Sequence, residues 1–140
     1  MALPKTKLRE AIFQILFCLE KGQDTDELIP FMMKELKATR ANIHLAHVKA
    51  KKIMDSVSAL DEIIKEASIE YASERITSVE KNILRLSLFE MNFEEEVPPI
   101  VAIAEGVRLT RKFGSPSGAN FVNAILDSVY KKSSKFCAAN

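Results

Sequence analysis

The sequence predicts an all-α domain of six or seven helices, on three observations. Apolar residues recur at offsets of three, four and seven along most of the chain, and no segment sustains the strict alternation of a half-buried strand. The 140 residues also hold only 4 Gly and 5 Pro, too few for the tight turns of a small sandwich or barrel. With 47% of residues hydrophobic and 28% charged, the chain has enough apolar surface for the core of one domain and too much for a disordered chain.

The first helix is expected from Lys5 to Lys21. Leu8, Ile12, Ile15, Leu16 and Leu19 share one face, Phe13 and Phe17 flank it, and Gly22 supplies a left-handed C-terminal cap. Lys5, Lys7 and Arg9 put three positive charges in its first turns, against the helix macrodipole. That costs roughly a few tenths of a kcal/mol per exposed group, so the placement asks for a reason outside helix stability. After the polar break Gln23-Asp24-Thr25-Asp26, a shorter helix carries Leu28, Ile29, Met32 and Leu36, with Pro30 tolerated near its first turn. From Asn42 to Ala67, Ile43, Ala46, Ala50, Ile53, Met54, Val57, Leu60, Ile64 and Ala67 keep helical spacing. This stretch reads as one helix, or as two broken near Ser56 to Ser58.

Thr77 and Glu80 have the spacing of a capping box, in front of a core stripe of Val79, Ile83, Leu84, Leu88 and Met91. The loop Glu94-Glu95-Glu96-Val97-Pro98-Pro99 ends that helix and starts another, because the prolines disfavour helix before them and suit a first turn after them. Ile103, Val107 and Phe113 mark the next stripe, which runs to Gly114. Ser115-Pro116-Ser117 then offer caps for a last helix with Phe121, Val122, Ile125, Leu126 and Val129 on its apolar face, and the tail from Lys131 is polar.

Several function classes drop out. Lys+Arg number 20 against 19 Asp+Glu, and the net charge of +1 excludes a nucleic-acid binder whose whole surface is basic, while leaving local patches open. No apolar run reaches the ~18 residues of a membrane span, and the N-terminus is charged where a signal peptide is apolar, so a cytoplasmic protein without a membrane partner is expected. Cys18 and Cys137 lie in no CxxC pair and read as reduced thiols. His44 and His47 lack a third ligand at a matching offset, and the glutamate loop lacks the Gly turn of a cation-binding loop, so no metal is expected. Without a nucleophile elbow, a Cys paired with a base or a phosphate-cradling glycine loop, neither catalysis nor a cofactor is expected. The basic blocks at Lys49, Lys51 and Lys52, at Arg108, Arg111 and Lys112, and at Lys131, Lys132 and Lys135 read as solvated faces. The N-terminal block stands apart because its position opposes the dipole.

A more specific signal begins at Val79. The run Val79-Glu80-Lys81-Asn82-Ile83-Leu84-Arg85-Leu86, then Phe89-Glu90, Val97-Pro98, Lys112-Phe113-Gly114, Phe121-Val122-Asn123 and Ile125-Leu126-Asp127, resembles the NusB family of bacterial transcription antitermination factors. Arg9-Glu10-Ala11, Gln14, Leu16 and Phe17 near the start resemble it too, whereas Gln23 to Ile76 matches only in helical pattern and length. The resemblance implies a non-enzymatic domain of two packed helical subdomains, residues 1–72 and 73–132, with a tail over 133–140. It implies binding of boxA-type single-stranded RNA of ribosomal RNA leader transcripts together with NusE, a small-subunit ribosomal protein. That complex helps RNA polymerase read through terminators. Some members self-associate through the RNA-binding face, so a homodimer is also admitted.

On this resemblance Lys5, Lys7 and Arg9 would meet phosphates. Gln14 would reach a base or ribose, Phe121 would stack on an unpaired base, and Asn123 would pair with a base edge. Phe17, Glu74 and Glu80 would face the protein partner. From periodicity alone Phe121 is a core residue, and the capping box makes its own demand on Glu80. Against the family pattern Ala104 stands for an Asn, Arg108 for an acid, Asn120 for a base and Ala124 for a Gly. The alternative on the same fold is a helical protein-binding adaptor with weak or lost RNA affinity.

Overall fold

The computed structural model describes residues 2–69 and 76–133, and every regular element among them is an α-helix. In chain order these are α1 (Lys5–Glu20), α2 (Leu28–Leu36), α3 (Arg40–Asp55), α4 (Val57–Ile69), α5 (Ser78–Phe93), α6 (Pro99–Phe113) and α7 (Pro116–Lys132). The long periodic stretch is therefore two helices, broken at Ser56. The chain divides at the same point into two units, Met1–Ser56 and Val57–Asn140. This boundary lies earlier than the expected 72/73 because α4 packs on α5 and α7 and so belongs with the second unit.

In the first unit α1 packs chiefly on α3, and α2 lies against both. α1 contributes Ala11, Ile12, Phe13, Ile15 and Leu16 to the core, α2 contributes Met32 and Leu36, and α3 presents the stripe Ile43, Ala46, Ala50 and Ile53. The helix ends follow from local chemistry. Gly22 takes φ 69°, with its N–H donating to the Leu19 carbonyl at 3.0 Å. Lys37 closes α2 with φ 52°, a left-handed turn made by a side chain that disfavours it, and the Thr39 hydroxyl accepts from the Asn42 N–H at 3.1 Å to open α3.

The second unit is organised around α5, in which every residue from Asn82 to Met91 is buried. A helix buried on all sides must satisfy its own polar groups. Arg85 does so by forking onto Asp61 of α4, Nε to Oδ1 at 2.8 Å and Nη2 to Oδ2 at 2.7 Å, while its Nη1 donates to Asn82 Oδ1 at 3.0 Å. Asn82 Nδ2 in turn donates to the Ser78 carbonyl at 2.9 Å. Among the described residues no buried side-chain nitrogen or oxygen lacks a partner.

The core stripe of α6 differs from the one expected. Ile103, Val107 and Phe113 are half-buried, and the buried residues are Ala102, Gly106, Leu109 and Thr110. A Cβ on Gly106 would lie 2.6 Å from Ser87 Oγ and 3.0 Å from Leu126 Cδ1. α6 thus approaches α5 and α7 so closely that small residues take the positions a hydrophobic pattern would assign to large ones. α7 completes the unit with Val122, Ile125 and Leu126 buried and the Ser115 hydroxyl accepting from the Gly118 N–H at 3.0 Å.

Candidate functional site

The three N-terminal basic residues meet different environments. α1 begins after Pro4 with no side-chain cap and no acidic residue in its first turn. Lys5 is exposed, Lys7 is half-buried, and Arg9 is only 6% exposed and already has an interaction partner. Lys7 Nζ donates to the Leu36 carbonyl at 3.4 Å, so its charge lies at the C-terminal, electronegative end of α2. This is a structural reason for one of the three charges, and of the three Lys5 is the one that is exposed.

Further along α1, Gln14 and Phe17 are both half-buried. The Phe17 ring lies 6.2 Å from that of Phe13, tilted by 52°, and Lys21 Nζ lies 5.4 Å from its centroid. Phe17 thus presents an aromatic face already covered by a cation. On α7, Asn123 is exposed, as is Asn120, while Phe121 is half-buried. Phe121 is thus neither a fully buried core residue nor an exposed one.

Glu80 is 9% exposed and completes the capping box: its N–H donates to Thr77 Oγ1 at 3.1 Å, and its Oε1 accepts from the Thr77 N–H at 3.3 Å. Its Oε2 lies 2.7 Å from where a Cβ on Gly118 would sit, which places the carboxylate against the first turn of α7. A negative charge is favoured there by the helix dipole. Glu80 thus serves two helix N-termini at once. Glu74, Lys135 and Cys137 lie outside the described residues.

The Asp61–Arg85 fork was not legible in the sequence, because the partners are 24 positions apart and Arg85 falls within an apolar run. His47 Nε2 lies 3.4 Å from Thr25 Oγ1, His44 is exposed, and among the described residues no three His, Cys, Asp or Glu side chains form a metal-binding group. Cys18 is 8% exposed with its Sγ 3.6 Å from the Gln23 and Asp24 carbonyls; burial first and the Asp24 carboxylate second push its thiol pKa up. The thiol stays protonated at neutral pH. No helix among the described residues is long and apolar enough to cross a membrane.

A sequence profile of the NusB family matches residues 6–131. The chain belongs to the NusB family. The transcription antitermination protein NusB of Chlamydia pneumoniae is 33% identical over 132 residues, covering 94% of this chain and 82% of that one. The NusB of Lachnoclostridium phytofermentans is 35% identical over 130 residues, covering 91% and 98%. Among solved structures, T. maritima NusB superposes with a TM-score of 0.74 at 26% identity, over 94% of both chains. A chain from a structure of the antitermination factors NusB and NusE in complex with dsRNA shares the fold, with a TM-score of 0.73 at 24% identity over 92% of this chain and 97% of that one. The NusB motifs fall largely on core positions: Ile83, Leu84, Leu86, Val97, Val122, Ile125 and Leu126 are all buried. What makes the chain recognisable as NusB-like is thus mainly how its second unit packs.

Proposed function

We propose that this protein is a cytoplasmic transcription antitermination factor that binds boxA-type single-stranded RNA of ribosomal RNA leader transcripts together with NusE, favouring read-through by RNA polymerase. Family membership across residues 6–131 carries this reading. In the first unit, exposed Lys5 and half-buried Lys7 at the start of α1 supply charge for phosphates, with Gln14 further along for a base or ribose. In the second unit, Asn123 offers both a donor and an acceptor to a base edge, and the accessible part of Phe121 offers a stacking surface worth roughly 1–3 kcal/mol per base. Phe17 supplies an aromatic anchor for the protein partner, while Glu80, committed to two helix ends, acts mainly by holding α5 and α7 in place. The work is binding and scaffolding, with no covalent step.

The test is titration of boxA-type single-stranded RNA, and of a duplex of the same sequence, with the protein, with NusE and with both. Binding of the single strand that tightens when both proteins are present is expected, and Asn123→Ala is expected to weaken it without moving the melting temperature. Absence of any RNA shift for the pair, with NusE still captured, would select the adaptor reading. Burial of Arg9, which removes one of three expected phosphate contacts, is the observation that favours that second reading.

A further inference from the structure

The outward side of α3 carries a short coiled-coil seam. The helix buries Ile43, Ala46, Ala50 and Ile53 against the rest of its unit. On the opposite side Ala41, Leu45, Val48 and Lys52 follow one another at spacings of four, three and four, the alternation of a and d positions in a heptad. All four are exposed, Leu45 at 61% and Val48 at 39%. A single exposed leucine is ordinary, but two adjoining aliphatic side chains with an alanine one turn before them make a continuous stripe along ~10 Å of helix.

The residues beside this stripe are basic. His44 and Lys51 fall at g positions and Lys49 at e, Lys52 extends the seam itself, and exposed Arg40 stands at its start. Asp55, at the far end of the helix, is the one acid α3 contains. Arg40, Lys51 and Lys52 make no ion pair or side-chain hydrogen bond among the described residues, whereas Lys49 has a partner.

We infer that this face docks an acidic amphipathic helix of a protein partner. Such a helix, with leucines along one stripe and Glu or Asp beside it, satisfies both features of α3: the leucines pack around Leu45 and Val48, and the carboxylates meet Arg40, Lys51 and Lys52. A nucleic acid fits the lysines but not the stripe. α3 has no aromatic ring for a base to stack on, its one amide side chain, Asn42, is half-buried, and a phosphate backbone laid over Leu45 and Val48 gains nothing from them. A second copy does not fit either. Laid parallel, it sets Lys49, Lys51 and Lys52 against themselves; laid antiparallel about the Leu45–Val48 turn, it sets Lys51 and Lys52 against Asn42 and Ala41. None of these residues is among those proposed to meet RNA. The apolar stripe covers about two helical turns, so association belongs in the micromolar-to-millimolar range and weakens with salt.

Fluorescence anisotropy tests this with a labelled helical peptide of about 15 residues, leucine at a and d and glutamate at e and g, titrated with the full chain. Wild type is expected to bind it, and to bind a shuffled peptide of the same composition about tenfold or more weakly. Leu45→Gln/Val48→Gln, which keeps helix-forming residues at exposed positions, is expected to weaken the peptide about tenfold with the thermal melt and the affinity for boxA-type RNA unchanged. Lys51→Glu/Lys52→Glu should lose the glutamate peptide and instead take up one with lysine at e and g. No binding by wild type at about 1 mM peptide, equal binding of the shuffled peptide, or a lysine variant that loses RNA while keeping the glutamate peptide overturns the proposal.

Discussion

Replacing Lys5 and Lys7 together by Ala is expected to flatten the salt dependence of RNA binding by an amount the structure specifies. Each phosphate neutralised on a single strand contributes about 0.7 to the slope of log K against log salt. Of the three N-terminal basic residues, Lys5 is exposed, Lys7 is half-buried with its Nζ 3.4 Å from the Leu36 carbonyl, and Arg9 is 6% exposed. Two charges can then reach phosphates, and the double variant should lose about 1.4 from the slope. Between about 50 and 200 mM salt, wild type should lose roughly sevenfold more affinity than the double variant. Fluorescence anisotropy with a boxA-type oligonucleotide at several salt concentrations reads this directly. Adding Arg9→Ala should leave the slope where it was and lower the urea midpoint instead, because a buried, engaged group is removed. A triple variant whose slope falls by about 2.1 would refute the reasoning, since Arg9 would then contribute as much as either lysine. An unchanged slope in the double variant would show that the start of α1 does not touch RNA.

Three further outcomes concern the frame that holds these surfaces. Asp61→Ala should cost roughly 2–4 kcal/mol in urea unfolding, because Arg85 stays charged and buried; the Asp61 side chain is 35% exposed, which keeps the loss below that of a fully enclosed pair, and adding Arg85→Met should recover part of it. Thr77→Ala should cost roughly 1 kcal/mol by breaking the capping box at α5, read in the same assay. Cys18 has a folded-state pKa raised above its ordinary value, so as pH climbs past about 8.5 the unfolded chain loses its proton first and stability falls. Below that pH its contribution is fully present. Unfolding curves from pH 7 to 10 should therefore show a shallower alkaline decline in Cys18→Ala than in wild type.

The helices themselves were legible because each carries local signals that do not depend on its neighbours. Gly22 after α1, Thr77 with Glu80 at the start of α5, Pro98-Pro99 at the start of α6 and Ser115 before α7 mark helix ends through backbone conformations and hydrogen bonds made within a few residues. Lys37 is the counterexample: it closes α2 in a left-handed conformation that no turn residue announces. Family membership was also legible, because the ordered motifs from Val79 to Asp127 are those of a packed core and core side chains are constrained by shape.

What only the tertiary structure decided is the fate of individual side chains. Periodicity assigned α6 a stripe of Ile103, Val107 and Phe113, but the approach of Ser87 and Leu126 to Gly106 made the small-residue face the buried one. Lys5, Lys7 and Arg9 look equivalent in sequence, yet they end in solvent, against the end of α2 and within the interior respectively, because successive odd positions on a helix advance by about 200°. Glu80 looks available to a partner, yet it is committed where the starts of α5 and α7 meet. The sequence by itself determined which segments are helical and to which family they belong, since those depend on local hydrogen bonding and on pattern. Which charges remain free to meet RNA or protein was decided only when the helices packed, because burial depends on contacts between residues far apart in the chain.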